Sequence, residues 1–91
     1  MKDLELLSWI ARGSQRREII RVMTGIKIPA QIYQESVKHN PKITRNSVSD
    51  VLRSFKKEGV AVCINEDAKK GRFWKLTSLG EKLRKKLYNL N

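Results

Sequence analysis

The sequence is poor in the residues from which most catalytic and metal sites are built. It holds one cysteine, Cys63, and one histidine, His39, in 91 residues. A lone thiol leaves no partner for an internal disulfide and suits a reducing compartment, so a cytoplasmic location is expected. Cys63 lies in the apolar run VAVCI with no histidine near it, which fits a strand residue better than a nucleophile. His39 sits among turn residues. No Cys/His cluster has metal-ligand spacing and no glycine-rich phosphate loop occurs, so neither metal nor cofactor is expected. An enzyme is the least expected class. Apolar runs are only a few residues long, too short to span a membrane. The opening residues, MKDLELLSWIARG, break their apolar positions with early acids and lack the continuous core of a signal peptide. There is no internal repeat and no low-complexity segment.

Acidic residues are scarce too. Nine Asp and Glu stand against twenty Lys and Arg, a net charge of +11 at pH 7. Such an excess favours polyanions, because each neutralised phosphate releases a counterion. Nucleic acid fits better than an anionic membrane, since no helix is apolar on one face and basic along its whole length. Solubility alone is the plainer explanation of a basic surface. Forty per cent hydrophobic residues in clear periodicity mark a folded chain, a single domain over residues 1–91 with one modest core.

The most informative stretch is TRNSVSDVLRSFKKEG, residues 44–59. Thr44 can cap a helix with its hydroxyl. Val48, Val51, Leu52 and Phe55 form an inward stripe, and Lys56 and Lys57 suit the negative helix end. Gly59 can supply the left-handed residue that ends it. Arg45, Asn46, Ser47, Ser49, Asp50 and Arg53 occupy the other face, crowded into the early turns, where a groove-reading helix carries its contacts. This is a candidate DNA recognition helix.

Upstream, Asp3–Ala11 is a dense apolar segment bent or broken at Gly13, with Trp9 either a core lid or a subunit contact. Ser14 is expected to cap a helix to about Thr24, with Gly25 beyond it and Ile19, Ile20 and Met23 facing inward. Arg12, Arg16, Arg17 and Arg21 make a basic patch able to touch phosphate. Lys27 and Ile28 are extended ahead of Pro29, which opens a helix to about Lys38 with Ile32, Tyr33 and Val37 inward. The turn HNPK leads to Ile43, placed to staple against Val48 or a neighbour. Residues 29–58 thus read as helix, turn, helix.

Downstream, residues 60–64 and 72–76 read as two antiparallel strands, with Trp74 and Leu76 on one face and Phe73 and Lys75 on the other. The polar loop between them carries Lys69 and Lys70, with Arg72 at its base. Such charges also discourage edge-to-edge aggregation. Thr77 caps a last helix, about residues 78–89, with leucines 79, 83, 87 and 90 in a stripe. Leu79 and Leu83 should serve the core. Trp9, Leu87, Tyr88 and Leu90 are the expected dimer contacts, and the outer leucines can equally fray into solvent.

Three pieces of the chain, EGVAVC, AKKGRFWKLT and LTSLGEKL, in this order, resemble the helix–strand junction, wing and last-helix opening of winged helix-turn-helix proteins. With WIARGSQRREII they are most similar to small archaeal MarR/ArsR-like transcriptional regulators, over about residues 8 to 87. The resemblance implies an α+β, mainly α fold: a three-helix core, a β-hairpin wing over about residues 60–76, and a C-terminal helix. It also implies that the Pro29–Lys38 helix lies across the DNA backbone while the Thr44–Glu58 helix enters the major groove. Residues expected to meet DNA are Thr44, Arg45, Asn46, Ser47, Ser49, Asp50 and Arg53, together with Lys69, Lys70 and Arg72 of the wing on adjacent phosphates or the minor groove. Two features depart from the family pattern. Asp50 repels phosphate unless it accepts from a cytosine amino group or orients Arg53 or Arg45, and the turn HNPKI is longer than usual.

The leading expectation is a site-specific double-stranded DNA-binding transcription regulator acting as a homodimer, without membrane association. The alternatives are an architectural DNA-binding protein without sequence preference, and a winged-helix protein-interaction module. The last would need an exposed apolar patch, for which Leu87, Tyr88 and Trp9 are the candidates. The sequence names no effector.

Overall fold

A computed structural model describes residues 1–88 of the chain. Five helices and one small sheet follow in order: α1 (Asp3–Arg12), α2 (Ser14–Val22), α3 (Pro29–Ser36), α4 (Arg45–Lys57), β1 (Ala61–Cys63), β2 (Trp74–Leu76) and α5 (Ser78–Tyr88). The domain is therefore α+β and mainly helical. Its core gathers Leu6 and Ile10 of α1, Ile19 and Ile20 of α2, Ile32 of α3, and Leu83 of α5 around Val48, Leu52 and Phe55 of α4. Each such side chain taken fully out of water contributes about 1.5–3 kcal/mol, so the stripe on α4 is a main tether of the domain.

Helix α4 is specified almost entirely by local chemistry. The Thr44 hydroxyl accepts from the Ser47 N–H at 3.0 Å, and Ser47 Oγ accepts from the Thr44 N–H at 2.9 Å, a reciprocal capping box. Ile43 and Val48, at the two positions of a hydrophobic staple, are both buried. At the other end Gly59 adopts φ +76°, the left-handed conformation that costs glycine least. Val60 N–H then bonds Phe55 O at 2.8 Å and Gly59 N–H bonds Lys56 O at 3.1 Å, the paired closure of a Schellman turn.

That turn is clasped to the start of α5. The Thr77 hydroxyl donates to Gly59 O at 2.6 Å and accepts from the Gly80 N–H at 3.1 Å, while Thr77 N–H bonds Val60 O at 3.0 Å. Thr77 thus caps α5 and ties the C-terminus of α4 to it. Thr77→Val, which keeps the shape and removes the hydroxyl, should cost about 1–2 kcal/mol in a thermal or urea unfolding experiment. An unchanged midpoint would show that the clasp contributes nothing.

The sheet pairs β1 and β2 antiparallel, with Ala61 opposite Leu76, Val62 opposite Lys75 and Cys63 opposite Trp74. Trp74 and Leu76 are buried and Lys75 is exposed, the alternation expected for a half-buried strand. The extended residue before α3 adds to this sheet. Lys27 and Trp74 exchange both backbone hydrogen bonds, at 2.9 and 2.8 Å. The ammonium of Lys27 then bonds Val22 O at 2.7 Å and Glu35 Oε1 at 2.8 Å. One residue so joins the sheet, the end of α2 and the side of α3.

Several element boundaries differ from the sequence expectation. Gly13, not Ser14, is the N-cap of α2, because Arg17 N–H reaches Gly13 O at 2.8 Å and Ser14 is already helical. The helix stops at Val22 and not near Thr24. Met23 turns out of helical geometry, and Lys27 and Arg84 take up the last carbonyls, Arg84 Nε bonding Arg21 O at 2.9 Å. Helix α3 ends at Ser36, two residues before Lys38, and the chain then turns through residues 37–39. The strands are three residues each, shorter than the runs 60–64 and 72–76.

Candidate nucleic-acid interface

The capping box of α4 decides which side chains are free to meet a ligand. Thr44 and Ser47 face one another, their hydroxyl oxygens 2.8 Å apart, and spend their bonding on the helix start. Both hold the helix in place ahead of any ligand contact. Arg45, Asn46, Ser49, Asp50 and Arg53 are exposed along the same face. Arg45 is held by its guanidinium lying over the Tyr33 ring of α3, 5.4 Å from the centroid, a cation–π contact. Asp50 forms an ion pair with Arg53 one turn on.

The loop between the strands is ordered by Asn65, which no motif in the sequence singles out. The Asn65 side-chain oxygen accepts from the Phe73 N–H at 2.7 Å, and its amide nitrogen donates to Gly71 O at 3.2 Å. Gly71 makes the turn possible with φ +66°. Arg72 Nε donates to Ala68 O at 2.8 Å, so Arg72 braces the loop as well as charging it. Lys56 at the end of α4 bonds Glu66 at 2.5 Å, holding the Glu66 carboxyl below its usual range, first by that hydrogen bond and then by the ammonium charge. This bridge joins recognition-helix candidate and loop. Lys69 and Lys70 are exposed and make no ion pair among the described residues.

Two clefts flank α4. One is lined by Ser49, Leu52 and Arg53 of α4 with Pro29, Arg72 and Trp74. Its walls bring the polar face of the helix and the base of the basic loop to a common opening. The other is lined by Arg12, Gly13, Ser14, Gln15 and Arg16 with Ser47, Asp50 and Val51.

The arginine patch predicted on α2 is largely occupied within the molecule. Arg16 donates from Nε and Nη2 to Trp9 O at 2.9 and 2.6 Å and lies 4.6 Å over the Trp9 ring. Burial, and then the charge of Arg12, lower its pKa from the ordinary arginine value. Arg17 reaches Ala11 O at 3.2 Å, and Arg21 pairs with Glu18 at 3.3 Å. Arg12 makes no such bond among the described residues; like Arg17 and Arg21 it is exposed to solvent, whereas Arg16 is half-buried.

The apolar residues assigned to a partner surface are turned toward the chain's own core. Trp9 is half-buried and meets Phe55 edge-on, ring centroids 6.0 Å apart. Leu87 and Tyr88 are half-buried against the same core, and the Tyr88 hydroxyl donates to Arg17 O. Burial, with the Glu18 charge adding, raises the Tyr88 phenol above its ordinary pKa and keeps it a donor. Leu90 lies outside the described residues. Trp9, Leu87 and Tyr88 are thus half-buried and not strongly exposed, each keeping part of its surface open. The strongly exposed large hydrophobics are Met1, Leu4, Ile26, Ile64 and Phe73.

No group of three or more His, Cys, Asp or Glu among the described residues could hold a metal ion, and no described helix is long and apolar enough to cross a membrane. No protein-family model, curated protein or solved structure matches the chain.

Proposed function

We propose that the chain is a double-stranded DNA-binding transcription regulator of the winged helix-turn-helix kind. Helix α4 would enter the major groove and the loop over residues 66–72 would lie on adjacent phosphates or in the minor groove. One observation carries the reading: Ser49 and Arg53 of α4 and Arg72 of the loop line a common cleft. A hydrogen-bonding helix face and a cationic loop opening together fit a ligand with base edges and phosphates side by side. The net charge of +11 supports the same partner. Arg45 suits guanine and Asn46 suits adenine, each through paired hydrogen bonds. The functional unit in this proposal is a homodimer, and its half-sites lie about one helical turn apart.

Fluorescence anisotropy of a labelled duplex across a salt series tests this reading. With roughly three to five phosphate contacts per subunit, the logarithm of affinity should fall with log salt at a slope of about −3 to −4.5 per subunit. Binding that is absent at low salt, or insensitive to it, would overturn the proposal.

One observation favours the protein-interaction reading as an alternative. Ile64 and Phe73 are neighbours on the outer side of the hairpin, joined by Ile64 N–H to Phe73 O at 2.8 Å, and both are exposed. In that case Phe73→Ser would remove the activity and the α4 substitutions would leave it intact.

A further inference from the structure

Asp50 is the only acidic residue between Arg45 and Lys57, in a segment that also carries two arginines and two lysines. Its side chain is 68% exposed and its ion-pair partner Arg53 is 74% exposed. It stands between the two clefts. Asp50 lines the one shared with Arg12, Arg16 and Ser47, and Arg53 lines the one shared with Ser49 and Arg72. Every other charged group lining either cleft is an arginine. For tight attachment to a polyanion alone, a carboxylate here offers only an exposed ion pair with Arg53. Within the Debye length of about 8 Å it repels each phosphate that the neighbouring arginines attract.

The carboxylate can offset that repulsion by accepting from a base-edge donor. Two such amino groups face the major groove, on cytosine and on adenine. Adenine presents the N7 acceptor beside its amino group, which opposes a carboxylate; cytosine presents its amino group without that neighbour. A carboxylate has about four acceptor positions, so one oxygen can keep the Arg53 bond while the other accepts from the base.

We propose that Asp50 determines specificity in the DNA reading given above, accepting from a cytosine amino group at one position of the site and penalising binding everywhere else. The inference rests on that reading. It assigns a C·G pair to the place where the second turn of α4 meets the groove. Arg53, oriented by Asp50, serves the adjoining base or phosphate on the wing side.

The test is selection from a randomised duplex library by the wild type, Asp50→Asn and Asp50→Ala, with affinity for a random duplex measured for each. An exposed side chain leaves all three folded, which circular dichroism checks. The wild type should enrich a site containing one cytosine that depends on Asp50. In Asp50→Asn that single position should change to adenine, because an amide pairs with the adenine amino group and N7. In Asp50→Ala the preference there should fade by roughly 5- to 150-fold, the discrimination of one good base contact, while random-duplex affinity rises. A merely structural Asp50 would not change the identity of one base. Unchanged sites and unchanged random-duplex affinity in both variants would overturn the proposal and leave DNA binding standing. Retention of the wild type with no enriched sequence would also overturn it. No retention of any variant would sink the DNA reading and this inference with it.

Discussion

Gly80→Ala should destabilise the domain by about 3 kcal/mol, although Gly80 sits in a helix where alanine is normally the better residue. A Cβ built at Gly80 would lie 2.1 Å from the backbone oxygen of Val60, and a real Cβ essentially never comes within 3.0 Å of another atom. That oxygen cannot yield easily. It accepts from Thr77 N–H at 3.0 Å and lies in the Schellman turn at the end of α4. Relief would have to come from α5 moving off the turn between α4 and β1, which loosens Leu83 and Leu76 in the core. For a domain of this size the loss corresponds to a fall in melting temperature of roughly 12–24 °C.

Gly59 supplies the comparison. Its φ of +76° disfavours alanine, but no atom lies within 4 Å of the added Cβ. Gly59→Ala should therefore cost only about 1–2 kcal/mol. Equal effects at the two sites, or a stabilised Gly80→Ala, would mean that α5 does not pack against Val60 as described.

The second large effect is expected in binding. Arg45→Ala should weaken association with a selected duplex by about 1–3 kcal/mol and relax preference at one base pair. Arg45 would carry this role in the proposed complex because Tyr33 holds its guanidinium in place, which reduces the freedom lost on contact. Lys69→Ala combined with Lys70→Ala should act differently. These exposed loop lysines would meet phosphate, so the double variant should lose affinity for all duplexes alike and lower the salt slope by about two. Anisotropy titrations on a selected and a random duplex separate the two patterns. Wild-type binding by both variants would show that α4 and the loop are not the binding face.

Much of this arrangement was legible in the sequence wherever the cause is local. The Thr44 cap, the Val48–Phe55 stripe and the Gly59 stop each act within a turn of helix, and α4 falls where they place it. The alternation of Trp74 and Leu76 against Phe73 and Lys75 likewise sorted the side chains of β2 onto two faces, and the structure buries the first. What escaped the reading was a choice between two adjacent caps and a contact between residues distant in the chain. Ser14 is a good cap by type, yet Gly13 takes that role, and an added Cβ at Gly13 would collide with the Arg16 side chain at 2.4 Å. The pairing of Lys27 with Trp74 joins residues far apart in sequence, and no pattern around Lys27 announces it.

The candidate interface shows the same division. The exposed face of α4 followed from periodicity. A count of charges could not show that Arg16, Arg17 and Arg21 are engaged within the fold while Arg12 makes no such bond among the described residues. Nor could it show that Asn65 organises the loop through Phe73 and Gly71. The leucine stripe of α5 was correct as a stripe, but its direction was not readable, because an apolar face looks the same whether it meets the chain's own core or a partner. The structure seats Leu87 and Tyr88 against the core of their own chain.

The most direct test of the central proposal is to retain genomic fragments on the purified protein at moderate salt and sequence them. Enrichment of an inverted repeat with half-sites about one helical turn apart is the expected result. Retention without any enriched sequence would mark an architectural protein. No retention even at low salt would contradict the DNA-binding account and direct attention to the exposed Ile64 and Phe73 surface.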